Sequence, residues 1–199
     1  MQEFRRFNSN NRRPRGPKED NGIVLDFLTH GHVGSGDRTA LAQVLGEKYL
    51  TILEVIPRKD VFLKPGEQVY LGPERRDKIH HVAGRIPYEK LTQTAKMELD
   101  RLISEYVKKN EAKFVEFFNK AGPITTRLHC LEILPGIGKK HMWDMISARK
   151  EKPFESFKDI KARVKLVPDP EQIITRRIMD ELQETDKYKL FVSESSSIV

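Results

Sequence analysis

The sequence is poor in cysteine and in long apolar runs. Cys130 is the only cysteine among 199 residues, which excludes an internal disulfide and a metal site built from cysteines. No apolar run approaches the roughly 20 residues that a membrane-spanning helix needs, and the arginines near the N-terminus are not followed by the apolar core of a secretory signal. We therefore expect a protein of the reducing cytoplasm with no membrane partner.

Acidic residues are outnumbered by basic ones, 29 against 36, which gives a net charge of +7. The basic excess is concentrated in residues 1–20, with six basic against three acidic side chains, and in residues 124–166, with ten against five. A basic segment of this kind attracts polyanions. The charge pattern predicts a nucleic-acid partner, and we expect neither a small-molecule substrate nor a cofactor.

The N-terminal half of the chain predicts an arm followed by a β-domain. Residues 1–21 lack a core-forming pattern and are typical of a flexible basic arm. Residues 22–90 contain five short strands separated by glycine and proline turns. The strands are predicted at 23–28, 40–45, 49–56, 69–71 and 79–86. This spacing favours a small OB-like β-barrel.

The loop 30–38 joins the first two predicted strands and contains three glycines and Arg38. OB-folds often bind ligands at this connection, so Arg38 is a candidate phosphate contact. The preferred alternative is a flexible hairpin loop that binds nothing.

Four histidines lie in this half of the chain: His30, His32, His80 and His81. Alternation along a strand would put His80 and His81 on opposite faces, so at most one of them could join a metal site. We predict no metal site, and stacking of histidines on bases is the preferred alternative.

Residues 91–123 predict a long helical connector, because apolar side chains recur at helical spacing from Leu99 to Ala121. Thr92 or Thr94 is the expected N-cap, and Gly122 with Pro123 is the expected stop. A single straight helix of this length would be unusually long, so a break is predicted near 108–112.

The stretch 131–140 reads Leu-Glu-Ile-Leu-Pro-Gly-Ile-Gly-Lys-Lys. A helix from about Thr126 is expected to end at Leu134, and Gly138 is expected to open the next helix. Backbone N–H groups at a tight turn, with a helix N-terminus behind them, form an anion site. Lys139 and Lys140 add full positive charge, so a phosphate is the predicted ligand. The alternative is a turn in which glycine serves geometry alone.

This stretch resembles the helix-hairpin-helix motif, a nucleic-acid module without sequence preference. The likeness rests on Leu131, Leu134 and residues 135–138, and it extends to 154–160; Met142 departs from the alanine usual in the family. Helices are also predicted after the N-caps Ser156 and Asp169. They form a second, degenerate unit without Gly-x-Gly, so residues 124–186 predict a tandem helix-hairpin-helix domain.

The last segment, 187–199, is expected to contain a strand at 188–192 that pairs with the barrel, and a loose tail. An α+β chain with an OB-like barrel, a helical connector and an all-α tandem domain resembles an archaeal family of uncharacterised, presumed nucleic-acid-binding proteins. The resemblance covers nearly the whole chain and implies a fold more than a function.

The preferred function is a non-catalytic nucleic-acid-binding protein, with structured or single-stranded RNA favoured over DNA. Its partners would be nucleic acid and a ribonucleoprotein or transcription assembly. The candidate contacts are Gly136, Ile137, Gly138, Lys139, Lys140, Arg149, Lys150, Lys152 and Arg38. Arg176 and Arg177 are further basic residues that could reach a backbone.

Two other interpretations stay open. One is an adaptor that binds proteins of a transcription or translation assembly through the near-neutral barrel. The other is a DNA glycosylase or lyase, because some glycosylases resemble this hairpin and carry a catalytic lysine where Lys140 stands and an aspartate where Asp159 lies. The large helical domain that would hold a flipped base is missing, which disfavours the enzyme.

Overall fold

The computed structural model describes residues 18–32, 38–185 and 187–192. Most of the predicted basic arm, the centre of the loop 30–38 and the predicted tail 193–199 lie outside the described residues. The described chain has the predicted α+β class. Its elements are β1 Asn21–Leu28, β2 Leu41–Gly46, β3 Ile52–Pro57, β4 Gln68–Tyr70, β5 Ile79–Arg85, α1 Gln93–Lys109, α2 Glu111–Lys120, β6 Pro123–Thr125, β7 Leu128–His129, α3 Lys139–Glu151, α4 Phe157–Arg163 and α5 Pro170–Leu182.

The five predicted strands are confirmed as one antiparallel sheet in the order β4-β1-β2-β3-β5. The sheet curls into a half-barrel around an inner apolar cluster, and β4 and β5 form its edges. The central strand β2 is buried along its whole length, because one face lines this cluster and the other meets the helices. The inner cluster consists of Val24, Ala42, Val44, Leu53, Val55, Leu63, Val69, Leu71 and Ile79.

Partly buried side-chain hydrogen bonds connect the sheet to the start of α1. The Gln43 side chain donates to Lys90 O at 3.0 Å and accepts from Thr92 N at 3.0 Å. The Thr92 hydroxyl donates to Asp26 Oδ2 at 2.6 Å and accepts from Ala95 N at 3.0 Å. Thr92 is therefore the N-cap of α1, one of the two predicted positions.

The predicted break in the long helix is confirmed at Asn110, which ends α1 and precedes α2. Its side-chain Nδ2 donates to Tyr106 O at 2.8 Å, which satisfies a carbonyl at the end of α1. α1 packs against both β1 and α5. The predicted connector is therefore part of a core that the sheet and all five helices share.

Residues 126–134 do not form the predicted helix. β6 and β7 make a short hairpin, and only Cys130–Ile133 form a helical turn, of the 3₁₀ type. His129 caps this turn, because its Nδ1 accepts from Leu131 N at 3.1 Å while Glu132 Oε2 accepts from His129 N at 2.9 Å. Burial, together with the charge of Arg149, lowers the pKa of His129, which favours the neutral imidazole that this cap requires.

The two predicted caps downstream are confirmed. Ser156 Oγ accepts from Asp159 N at 3.1 Å at the start of α4. Asp169 caps α5, whose first residue is Pro170.

The predicted strand at 188–192 is not formed. The N–H groups of Leu190, Phe191 and Val192 instead donate to the carboxylate of Glu181 at 2.7, 2.8 and 2.9 Å. Glu181 is fully buried in α5 and also accepts from Arg177 Nε at 2.8 Å. A buried carboxylate, and not a neighbouring strand, therefore accepts the hydrogen bonds of these backbone N–H groups.

Candidate nucleic-acid interface

Residues 134–138 form a tight turn between the 3₁₀ helix and α3, which we call the glycine turn. Gly136 has φ of +77°, in the left-handed region that favours glycine. Gly138 is the N-cap of α3 with φ of −90° and ψ of 177°. The Ile137 N–H closes the turn on Leu134 O at 3.1 Å. The predicted position of the turn and of the helix start is confirmed.

Apolar side chains anchor the glycine turn in the core. Leu131, Leu134 and Ile137 are all buried. Ile137 was predicted as a contact residue, but its side chain points into the protein. It therefore holds the turn in shape, and only its backbone is near the surface.

The outer side of the turn offers backbone donors next to positive charge. The N–H groups of Gly138, Lys139 and Lys140 have no acceptor among the described residues, as expected at the first turn of a helix. A Cβ built on Gly138 would meet nothing within 4 Å, so the space in front of it is open. Lys139 and Lys140 are exposed, and no carboxylate of the described chain pairs with them. The arrangement is suited to bind an anion.

The turn between α4 and α5, residues 164–169, lies against the glycine turn. A Cβ built on Gly136 would be 3.2 Å from Pro168 Cγ. This second turn exposes Lys165 and Leu166, the latter 88% accessible with φ of +59°. Neither Lys165 nor Leu166 is among the contacts predicted from the sequence. No signal in the sequence distinguishes Leu166, because Val164, Val167 and Pro168 of the same turn are apolar as well.

Arg149 does not belong to the exposed basic surface. Its guanidinium donates to Phe118 O and Ala121 O, both at 2.8 Å, and so caps the C-terminus of α2. Burial lowers the pKa of Arg149. The guanidinium of Arg149, predicted as a phosphate contact, therefore serves the fold instead.

Arg177 is likewise unsuited to contact a ligand, because it is only 1% exposed. Besides Glu181, its guanidinium donates to Ile133 O at 2.9 Å and to Tyr188 O. Arg177 therefore connects α5 both to the 3₁₀ helix before the glycine turn and to residues 187–192, which we call the C-terminal segment.

The other predicted basic contacts are exposed but differ in their surroundings. Lys150 lies on the solvent side of α3 and forms no ion pair with a described residue. Lys152 pairs with Glu155 at 2.8 Å, and this contact raises the pKa of Lys152. Arg38 is exposed just before β2, in the sheet half of the chain, while residues 33–37 of its loop lie outside the described residues.

The histidines are arranged differently from the prediction. His80 and His81 do not face opposite ways: their Nδ1 atoms are 2.8 Å apart and both side chains are exposed. A β-bulge shifts the register between Ile56 and Pro57, opposite this pair, and breaks the alternation. His32 Nε2 lies 2.7 Å from Glu54 Oε1. Within the described ranges, no three His, Cys, Asp or Glu side chains are grouped to hold a metal.

Asp159, the aspartate of the glycosylase interpretation, is occupied by structural contacts. Its carboxylate accepts from Glu155 N at 3.2 Å and from Arg163 at 3.1 Å. Burial favours the protonated carboxyl, but these hydrogen bonds outweigh it and lower the pKa of Asp159.

The fold and the site together define an α+β protein in which a curled sheet and a helical half share one core, with a basic glycine turn on the helical half. The chain belongs to the family described as "Protein of unknown function (DUF655)", whose model matches residues 18–193. No helix among the described residues is long and apolar enough to cross a membrane.

Two relatives illustrate the match. The chain is similar to "Uncharacterized protein MJ0038" of Methanocaldococcus jannaschii, with 46% identity over 183 residues that cover 91% of this chain and 83% of the relative. It is also similar to the solved structure of Af1531 from Archaeoglobus fulgidus, with a TM-score of 0.78, 46% identity and coverage of 88% of this chain and 100% of that one. The predicted likeness to an archaeal family of uncharacterised proteins is confirmed.

Proposed function

We propose that this protein binds nucleic acid without catalysis, and that the glycine turn binds a backbone phosphate in the manner of a helix-hairpin-helix. The observation that carries the proposal is the open space before Gly138 together with backbone N–H groups and two lysines that have no partner among the described residues. A helix N-terminus with free amides attracts a phosphate, and the lysines neutralise its neighbours.

The curled sheet supports a second contact to the same ligand. A five-stranded, partly open antiparallel barrel is the architecture by which OB-folds bind single-stranded nucleic acid. Exposed His80 and His81, together with Arg38, lie in this half of the chain. RNA remains our preference over DNA, because a backbone-binding turn beside a half-barrel suits folded RNA with exposed loops.

The sharpest test places a charge at the N-cap of α3. Asp and Asn are both better N-caps than Gly, and Gly138 has an extended backbone and open space, so Gly138→Asp and Gly138→Asn should both fold. The two side chains have nearly the same size. Gly138→Asp should weaken nucleic-acid binding much more than Gly138→Asn, since only Asp repels the phosphate.

Binding should be measured on single-stranded RNA, duplex RNA, duplex DNA and a structured RNA across a salt series. Contacts from Lys139, Lys140, Lys150 and Lys165 to a single strand predict a slope of log K against log salt of about −2.8, at about −0.7 for each phosphate. Equal affinity of Gly138→Asp and wild type would refute the proposed site. Weak binding to all four ligands would favour the protein-binding adaptor.

A further inference from the structure

The only tryptophan of the chain stands next to the glycine turn. Trp143 lies in the second turn of α3 and is 61% exposed, although its neighbours Met142 and Met145 are buried. Large aromatic side chains are usually well buried. An exposed tryptophan one helical turn from a candidate phosphate site therefore needs an explanation.

Trp143 lies on the same side of α3 as two lysines. Lys139, Trp143 and Lys150 occupy positions i, i+4 and i+11, which fall on one side of a helix. Trp143 lies about 6 Å along the axis from Lys139 and about 10 Å from Lys150. The parallel line of Lys140, Asp144 and Glu151 has a mixed charge. Lys139 therefore lies one turn before the tryptophan and Lys150 two turns after it, with the partly buried Ile146 between Trp143 and Lys150.

We propose that Trp143 stacks on an unpaired nucleobase of a strand whose adjacent phosphate is bound by the glycine turn. This inference rests on the proposed function and narrows its ligand to single-stranded segments or loops. Aromatic side chains between basic groups bind single strands by stacking on the bases, with the cations following the backbone. Bases within a continuous duplex are already stacked, and exposing one costs a few kcal/mol.

The tryptophan itself reports on the contact, because the chain contains no other. Titration with a single-stranded RNA and with a single-stranded DNA of matched sequence should quench the intrinsic tryptophan emission. The quenching should saturate together with binding measured independently by anisotropy of a labelled strand. A duplex of the same sequence should bind with little quenching, and the two single strands show whether ribose matters.

Substitution separates stacking from charge. Trp143→Ala should lower single-strand affinity about 5- to 150-fold, and Trp143→Phe should lower it less, since it keeps a stacking face. Duplex affinity should change little in both variants. Met97→Ala, which removes an exposed apolar side chain from α1, is the matched control and should change neither.

The outcomes distinguish this inference from the proposed function. Binding that depends on Gly138 but shows no quenching, with unchanged affinity in Trp143→Ala, overturns the stacking contact and leaves the phosphate site in place. Binding to none of the ligands overturns both. Equal losses on single strand and duplex in Trp143→Ala also overturn stacking, because they indicate a structural role of the side chain.

Discussion

Replacement of Glu181 by glutamine tests the buried network beneath the candidate interface. Each carboxylate oxygen accepts two hydrogen bonds: Oε1 from Arg177 Nε and Leu190 N, and Oε2 from Phe191 N and Val192 N. A glutamine keeps one acceptor oxygen and turns an NH₂ group toward two donors. The change also leaves the guanidinium of Arg177 buried without its carboxylate.

The expected loss is large, because both side chains are withdrawn from water. Breaking a buried ion pair by removing one partner costs about 3–5 kcal/mol. For a chain of this size, each kcal/mol lowers the melting temperature by about 2–4 °C. Glu181→Gln should therefore lower the melting temperature by about 6–20 °C. The C-terminal segment should also lose protection of its amides against hydrogen exchange.

Chemical denaturation followed by circular dichroism measures the free energy of unfolding directly. Glu184→Gln is the matched control, because Glu184 is exposed just after α5 and its contact with Lys189 is long, at 3.5 Å. Such surface pairs contribute about 0–1 kcal/mol. A loss below about 1 kcal/mol for Glu181→Gln would refute the reasoning. So would additive effects of Glu181→Gln and Arg177→Met, since a coupled pair must be non-additive.

Three further perturbations test single contacts. Arg149→Met should lower the free energy of unfolding by about 1.5–3 kcal/mol, because the cap of α2 is lost. The slope of log K against log salt for nucleic-acid binding should not change. A smaller slope would show that Arg149 contacts a phosphate. Because the pKa of His129 is lowered in the folded protein, stability should be lost as the pH falls below the ordinary histidine value. His129→Asn keeps a capping side chain that does not titrate. Urea unfolding at about pH 7.5 and pH 5.5 should therefore show a smaller change in the free energy of unfolding for this variant than for the wild type. The hydrogen bond from Lys78, followed by that from Lys64 N, lowers the pKa of Glu67. The contribution of Glu67 to stability is therefore lost as the pH falls through that lowered value. Lys78→Met should raise the pKa of Glu67 in a carboxyl NMR titration, and an unchanged pKa would contradict the pairing.

The parts of the fold that sequence predicts well are set by local signals. The five strands, the N-caps Ser156 and Asp169, an N-cap at Thr92 or Thr94 and a helix break within 108–112 all follow from the residues within one or two turns of each feature. Capping and turn chemistry act over three or four residues. These features were therefore predicted correctly without knowledge of the fold.

The errors arise where a distant partner decides the local conformation. The apolar pattern of 188–192 predicts burial correctly, since Leu190, Phe191 and Val192 are buried. It cannot show that the backbone donors are taken by Glu181 instead of a strand. Similarly, the alternation that separates His80 from His81 fails because a bulge depends on the register with β3.

The number of basic residues in 124–166 is larger than the number of cations that are free to bind a ligand. Among the ten basic residues of 124–166, Arg149 and Arg163 donate to backbone carbonyls, while Lys152 and Lys161 pair with carboxylates. The acceptors of Arg149 and Lys161 and the carbonyls that Arg163 reaches lie on other segments, so no local pattern reveals them. The pairs Lys152–Glu155 and Arg163–Asp159, at i,i+3 and i,i+4, are the contacts that the local charge pattern does indicate. The lysines left unpaired in the described chain include the two beside Gly138. For this reason we propose the glycine turn, and not the segment as a whole, as the anion site.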